Sequence, residues 1–339
     1  KVNHHKLSHC IPKAELHLHI EGTLEPELVF KLYKKHNIPA KFESIEELRA
    51  KYNFNCLKDF LDLYYECCDC LRDEEDFEDL MYEYLKKAST QGLRYAEIFF
   101  DPQTHLNRKI PFETVIKGLH RGIKKGREDF KVDANLIMCF LRDLSEEDAL
   151  GVFAQALEHK SLFIGVGLDS NEINNPPEKF KNVYKQAKNN GFRLVAHAGE
   201  ECSISTDYIT SALDVLGIER IDHGIQVRKS EDLISRVVKE KIPLTICPMS
   251  NIKLKVHQKI EESPLKEFMN KGIIVTLNSD DPAYFGGYIG DNYLLVGTTF
   301  NFTVEDYRSV ALNSFQSTFL EKEKKEEYCK LVEEFMKTI

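Results

Sequence analysis

The chain has 339 residues, of which 42% are hydrophobic and 30% charged; these values suit a globular protein with a large core and exclude disordered and fibrous classes. The formal net charge is −9 and no Lys/Arg block occurs, which argues against nucleic acid or an anionic membrane as partner and favours a small ligand. No apolar run reaches the roughly 18 residues that span a bilayer, and nine scattered cysteines, an odd number, predict free thiols and a cytoplasmic location.

Eight short apolar runs, separated by polar stretches of helical character, predict the strands. After the second run their starts lie about 20 to 40 residues apart, which is the length that a strand, a loop, a helix and a return require. Eight such units close into a (β/α)₈ TIM barrel, so the predicted class is α/β. The predicted strands are 14–19, 95–100, 135–141, 163–169, 192–198, 220–224, 242–248 and 273–280.

The interval between the first two runs is much longer than the others. Residues 24–94 contain several helical patterns, so we predict a helical insertion between strands one and two. No linker rich in Gly, Pro or Ser and no repeat divides the chain, which predicts a single domain over residues 1–339. One apolar helical face in the insertion comprises Leu57, Phe60, Leu63, Tyr64, Cys67 and Leu71.

Polar side chains follow four of the predicted strands. In a barrel of this type the active site is built at the C-terminal ends of the strands. Strand one ends in a His-x-His pair, and alternation places His17 and His19 on one face while Leu16 and Leu18 pack outward. The other polar ends carry His197 with Glu200 just past strand five, His223 at the end of strand six, and Asp280 at the end of strand eight, followed by Asp281.

Each of these residues also has an ordinary structural interpretation. Alone, His197 fits a buried hydrogen-bonded imidazole, His223 a loop residue, and Asp280 with Asp281 a helix N-cap and turn. A His-x-His pair by itself is weak evidence for a metal. Four independent coincidences at one end of a barrel would be needed to explain them all, so we predict a metal site.

The segments that carry these residues resemble the signature segments of the adenosine and adenine deaminase family. They are 12–22 (PKAELHLHIEG), 195–200 (VAHAGE), 220–224 (RIDHG) and 278–282 (NSDDP). The resemblance extends over nearly the whole chain. In that family the residues equivalent to His17, His19, His197 and Asp280 hold a catalytic zinc, so the resemblance implies one Zn²⁺ per chain on these four ligands.

The resemblance also implies catalytic roles at this end of the barrel. Glu200 matches the family's proton donor to purine N1, His223 the residue that orients the attacking water, and Asp281 the hydrogen-bonding partner of N7. Zinc with an open position lowers the pKa of water from about 16 to roughly 7, and attack at C6 requires a proton on N1. A water-excluded pocket would raise the pKa of Glu200 so that it holds this proton near neutral pH.

Two departures from the nucleoside enzymes favour adenine as the substrate, with hypoxanthine and ammonia as products in purine salvage. Adenosine deaminases usually have Asp after the His-x-His pair, where it binds a ribose hydroxyl, and this chain has Glu21. They usually have Gly-Asp-Glu where residues 170–172 are Ser-Asn-Glu, and segments 99–105 and 279–288 resemble the adenine deaminase branch. We expect Glu21 to bind substrate by accepting a hydrogen bond, directly or through water, from the N9–H group that adenosine lacks.

Several alternatives stay open. An adenosine deaminase producing inosine would use the same centre, whereas a non-catalytic purine-binding protein would typically have lost a ligand or the acid. An amidohydrolase acting on cyclic amides would usually need a carboxylated Lys after strand four, where Asp169 stands. A cytidine deaminase motif is disfavoured because no Pro precedes Cys67, and His105, after strand two, is interpreted as loop structure.

Overall fold

The computed structural model describes residues 1–339, in which eight parallel strands follow one another in sequence order around the sheet. Each strand pairs with the next one along the chain. The strands are β1 (Lys13–Glu15), β2 (Leu93–Phe100), β3 (Asp133–Leu141), β4 (Gly165–Asp169), β5 (Arg193–Ala198), β6 (Arg220–His223), β7 (Leu244–Ile246) and β8 (Val275–Leu277).

The barrel closes just beyond the ends of β1 and β8. Leu18 forms a parallel bridge with Asp280. The backbone N–H of His19 donates to the carbonyl of Asp280 at 3.0 Å, and the N–H of Asp280 donates to the carbonyl of His17 at 3.1 Å. The predicted (β/α)₈ TIM barrel is therefore confirmed.

Helices surround the barrel, and helices α2 to α5 fill the predicted insertion between β1 and β2. The helices are α1 (His4–Cys10), α2 (Pro26–Lys35), α3 (Ile45–Ala50), α4 (Leu57–Cys67), α5 (Glu74–Ser89), α6 (Pro102–Leu106), α7 (Phe112–Phe130), α8 (Glu146–Ala156), α9 (Lys181–Asn189), α10 (Thr206–Ser211), α11 (Glu231–Lys239), α12 (Pro248–Lys253), α13 (Leu265–Asn270), α14 (Pro282–Phe285), α15 (Ile289–Thr299), α16 (Val304–Gln316) and α17 (Lys322–Met336). None of them combines the length and apolarity needed to cross a bilayer.

Helix α4 lies across the C-terminal end of the barrel. Its predicted apolar face is buried at Leu57, Phe60, Tyr64 and Cys67. The ring of Phe60 packs against that of Phe285 in α14, with centroids 4.8 Å apart. This burial of an amphipathic face holds α4 over the strand ends without regular hydrogen bonding to the sheet. The interpretation of Cys67 as a core residue agrees with its burial, and all nine cysteines are free thiols.

Several predicted strands are longer than the observed ones. For β1 and β8, most of the predicted residues that are not in a strand lie at the C-terminal end, where the metal site is predicted. Residues 16–19 and 278–280 fall outside β1 and β8. The reason is local: the Asn278 side-chain oxygen accepts the N–H groups of Leu16 and His17 at 2.8 and 3.2 Å, in place of a backbone carbonyl. Asp280 then takes a left-handed conformation with a φ of 64°, which ends the extended chain.

The interior of the barrel forms a small separate core beneath the strand ends. It consists of Phe99, Ile137, Cys139 and Val195, which are all fully buried. The Phe99 ring lies 5.3 Å from the imidazole of His17 and 5.0 Å from that of His19, measured between centroids. Phe99 thus forms an apolar floor under the predicted metal site.

Candidate metal centre and pocket

The four predicted ligands converge at the C-terminal end of the barrel. One donor atom from each of His17, His19, His197 and Asp280 lies within 4.8 Å of the others, and all four residues are buried. Asp280 Oδ1 is 3.3 Å from His17 Nε2 and 3.2 Å from His19 Nε2. The Nε2 atoms of His19 and His197 are 3.1 Å apart. Segments distant in the sequence therefore present a buried His₃Asp cluster.

The three imidazoles are oriented as ligands of a cation require. Each ring uses Nδ1 to contact an acceptor away from the cluster, which leaves the Nε2 lone pair directed inward. The acceptors are Thr245 Oγ1 for His17 at 2.9 Å, Asp169 Oδ2 for His19 at 3.3 Å and Asp222 Oδ2 for His197 at 3.3 Å. His17 Nε2 is buried without any hydrogen-bond partner. This orphaned nitrogen and the facing His19 and His197 nitrogens fit a metal ion among them.

The carboxylate of Asp280 is held from two sides. Ser250 Oγ donates a hydrogen bond of 2.8 Å to Asp280 Oδ2, so Oδ1 remains directed at the histidines. The left-handed backbone at Asp280 and the paired bonds to the chain around His17 fix the position of the side chain. A left-handed non-glycine residue is sparsely populated, and such conformations concentrate at functional sites.

Glu200 and His223 lie together beside this cluster. Glu200 Oε2 is 3.4 Å from His223 Nε2, which in turn is 3.6 Å from Asp280 Oδ2. Burial, followed by the negative charge of Asp280, raises the pKa of Glu200 well above its usual value. Burial and the neighbouring imidazoles hold the pKa of His223 well below its usual value. Both shifts favour the uncharged forms, a protonated carboxyl at Glu200 and a neutral imidazole at His223.

Asp281 faces the cavity directly after the Asp280 turn. Its Oδ1 is buried and has no hydrogen-bond partner. Gly22 passes so close that a Cβ atom there would collide with the Asp281 carboxylate. A glycine is therefore required at position 22 for the Asp281 side chain to keep its place.

A narrow slot connects these residues to helix α4. Only about 30 Å³ of it can be reached by the centre of a water molecule. Helix α4 contributes one wall with Leu57, Phe60, Leu61, Tyr64 and Tyr65. The hydroxyl of Tyr65 donates to Ser170 Oγ at 3.0 Å, which ties α4 to the end of β4. A flat apolar wall opposite convergent polar groups suits a planar heterocycle.

Glu21, which is predicted to bind the substrate directly or through water, is not among the residues that line this slot. Its Oε2 accepts the backbone N–H of Asp101 at 3.0 Å and lies 2.9 Å from His105 Nε2, while the Tyr64 hydroxyl reaches Oε1 at 3.4 Å. The Glu21 carboxylate is fully buried, and both of its oxygens have hydrogen-bond partners within the protein. His105 belongs to helix α6 instead of a loop, stays outside the metal cluster, and acts as a partner of Glu21.

Two carboxylates of the slot were not singled out from the sequence. Asp101 and Asp169 line the cavity next to His19. In the sequence, Asp169 marks only the position at which a carboxylated Lys would stand in a cyclic amidohydrolase. Both residues end or directly follow a strand, β2 and β4, so the strand-end signal that identified the histidines applied to them as well.

Comparisons with known proteins agree with this site. Residues 12–335 match the family model described as adenosine deaminase. A relative described as adenine deaminase from Chlorobium phaeobacteroides is 47% identical over 329 residues, which cover 97% of this chain and 98% of the relative. One from Psychrobacter cryohalolentis is 48% identical over 96% of this chain and 97% of the relative. The crystal structure of adenine deaminase from Arthrobacter aurescens is similar at a TM-score of 0.95 and 45% identity, covering 97% of this chain and 100% of that one.

Proposed function

Because this chain belongs to the adenosine deaminase family, we propose that it catalyses the zinc-dependent hydrolytic deamination of adenine to hypoxanthine and ammonia. The observation that carries the proposal is the convergence of the buried His₃Asp cluster, Glu200 and Asp281 on one narrow slot. Relatives described as adenine deaminases, 44 to 48% identical over nearly their full lengths, support adenine as the substrate.

His17, His19, His197 and Asp280 would hold one Zn²⁺ ion. Three imidazole nitrogens and one carboxylate oxygen are ligands that a catalytic zinc site uses, and the fixed Nδ1 partners keep the nitrogens directed inward. When bound, zinc supplies Lewis acidity that lowers the pKa of a water molecule to about 7. The surrounding protein provides the remaining chemistry.

Glu200 acts as the general acid. Because its pKa is raised, the carboxyl keeps a proton at neutral pH and delivers it to purine N1 as C6 is attacked. His223, 3.4 Å from Glu200, is neutral and accepts a hydrogen bond from the attacking water, which orients the water toward C6. Asp281, which lines the slot directly after the ligand Asp280, hydrogen-bonds to N7. Helix α4 covers the ring and excludes bulk water.

Two alternatives are less well supported. Deamination of adenosine would need room for a sugar in a narrow slot whose lining includes the hydrogen-bonded pair Tyr65 and Ser170. A purine-binding protein without catalysis has no need of the acid, yet Glu200 is in place beside His223. Residues 1–339 would form one domain, since one hydrophobic cluster of 91 buried residues extends through barrel and insertion.

The test is a combined metal and product analysis of protein purified without chelators. We expect about one zinc per chain and the release of hypoxanthine and ammonia from adenine in equal amounts. Chelation should remove the zinc and abolish the activity, and addition of Zn²⁺ should restore the activity. Full activity in protein that contains no transition metal would contradict the ligand assignment. Absence of ammonia release from adenine by the zinc-loaded protein would contradict the proposed reaction.

A further inference from the structure

The seam between β1 and β8 carries three of the four proposed metal ligands. His17 and His19 follow β1, and Asp280 follows β8. Two backbone hydrogen bonds join Asp280 to the chain at His17 and His19, but the two strands share no regular ladder below this point. The relative positions of these ligands therefore depend on side chains that connect the two segments.

One such side chain is that of Glu15, the last residue of β1, which is fully buried. Glu15 Oε2 accepts two hydrogen bonds from Ser279, one from the backbone N–H at 2.7 Å and one from the hydroxyl at 2.8 Å. A single oxygen thus fixes both the backbone and the side chain of Ser279. Because Ser279 directly precedes the ligand Asp280, Glu15 holds the chain at the point where it turns toward the metal site.

A second side chain holds the seam in the opposite direction. Asn278 Oδ1 accepts the backbone N–H groups of Leu16 and His17 at 2.8 and 3.2 Å. The segment after β8 therefore supplies an acceptor for the ligand His17, while β1 supplies an acceptor for the residue before Asp280. Glu15 and Asn278 form a reciprocal pair that locates ligands on both sides of the seam.

Glu15 is itself fixed by the helical insertion. The hydroxyl of Tyr84, a buried residue of α5, donates to Glu15 Oε1 at 2.5 Å. Both carboxylate oxygens of Glu15 therefore have donors, as a buried acceptor group requires. The chain that they hold needs such support, because Asp280 has a φ of 64°, and a non-glycine residue keeps this conformation only where its surroundings enforce it.

We propose that Glu15 is a positioning residue of the metal centre, which holds Ser279 so that Asp280 directs Oδ1 at the ion. This inference rests on the ligand set of the proposed function. Asp280 Oδ1 lies 3.3 Å from His17 Nε2, so a displacement of the chain at Ser279 changes the spacing of two ligands. Glu15 belongs neither to the donor cluster nor to the lining of the slot. Its replacement should therefore change the affinity for the metal while all four ligands are present.

The experiment measures zinc affinity by competition with a chelator, on the full-length protein and its variants. Glu15→Met, which keeps the length of the side chain but has no acceptor oxygen, should weaken zinc binding by about 10- to 100-fold. Glu15→Gln retains one acceptor oxygen for Ser279 and should bind zinc at least about threefold more tightly than Glu15→Met does. The matched control is Lys13→Met. Lys13 is equally buried in the same strand, but its ammonium group donates to the carbonyl of Gln91, so zinc affinity should stay within about threefold of wild type.

Two further measurements separate positioning from a general loss of stability. The visible absorption spectrum of the Co²⁺-substituted protein reports the geometry of the ligands, and Glu15→Met should change this spectrum whereas Lys13→Met should not. Ser279→Ala removes only the hydroxyl that donates to Glu15 Oε2, so zinc binding should weaken by about 3- to 10-fold. This smaller change tests the inference even if Glu15→Met does not fold.

The outcomes distinguish this inference from the proposed function. Wild-type zinc affinity in Ser279→Ala and in every folded Glu15 variant would overturn the positioning role. A lower Tm of metal-free Glu15→Met, combined with the zinc affinity and Co²⁺ spectrum of wild type, would overturn it as well, since Glu15 would then only stabilise the fold. A wild-type protein that binds no zinc would overturn both proposals. The expected differences in zinc affinity without ammonia release from adenine would overturn only the proposed reaction.

Discussion

The carboxylate of Glu172 accepts the backbone N–H of Glu200 at 3.2 Å through Oε1, and its other oxygen accepts the N–H of Gly199 at 2.8 Å. Glu172 is buried, and Gln226 holds the same turn from the other side by donating to the carbonyl of Glu200 at 3.1 Å. The backbone of the general acid is therefore fixed by a carboxylate from the loop that follows β4, although Glu172 itself does not line the slot.

Replacing Glu172 should affect the position of the acid without removing it. In Glu172→Gln, one acceptor oxygen becomes an NH₂ group that faces a backbone N–H, so the turn must shift. We expect kcat for adenine to fall by about 10-fold, with zinc content unchanged and little change in KM. Steady-state kinetics with metal analysis checks this. A variant that loses zinc in proportion to activity would instead place Glu172 among the supports of the metal centre.

Removing the acid itself should have a larger effect. Glu200→Gln preserves size and burial but cannot donate the proton to N1, so we expect kcat to fall by at least about 10² while the fold and the zinc content are retained. The matched control is Glu201→Gln, since Glu201 is the adjacent residue and lies outside the slot; it should remain within threefold of wild type. Activity of Glu200→Gln within threefold of wild type would remove Glu200 from the mechanism.

The orientation of His17 offers a test of the metal site that leaves all four ligands intact. Thr245 Oγ–H donates to Asp222 Oδ1 at 3.0 Å, so Oγ1 accepts from His17 Nδ1–H. Thr245→Val removes this acceptor and should weaken zinc binding by about 10- to 100-fold, as measured by competition with a chelator. Thr245→Ser keeps the hydroxyl and should stay near wild type. Equal zinc affinity in both variants would show that the hydroxyl does not orient the ligand.

A buried lysine at the start of β1 predicts a pH dependence of stability. Burial lowers the pKa of Lys13 to about 7, against 10.5 for a free lysine. Between these values the unfolded chain binds more protons than the folded one, so this residue makes the free energy of unfolding rise with pH. Lys13→Met should flatten that part of the rise, measured as Tm from pH 7 to 9, whereas the exposed Lys124→Met should not. If Tm rises equally with pH in wild type and in Lys13→Met, the pKa of Lys13 is not lowered in the folded protein.

The sequence predicted the barrel and most of the site because strand ends carry a strong local signal. His17, His19, His197 and Asp280 could be located from the sequence, since each lies at or near the end of an apolar run. The orientation of Glu21 could not, because the chain turns into a 3₁₀ segment at Ile20–Thr23 and the alternation of the strand no longer applies. Asp101 and Asp169 carried the same strand-end signal, but their pairing depends on the packing of β2 and β4 around His19.

Free-base specificity is decided by the adenine-to-adenosine ratio of kcat/KM, measured by ammonia release on one zinc-loaded preparation. We expect a ratio of at least about 10², because the nucleoside lacks the N9–H donor and its sugar needs additional room in a narrow slot. Turnover of adenosine equal to that of adenine would contradict the free-base assignment and leave only the deaminase chemistry standing.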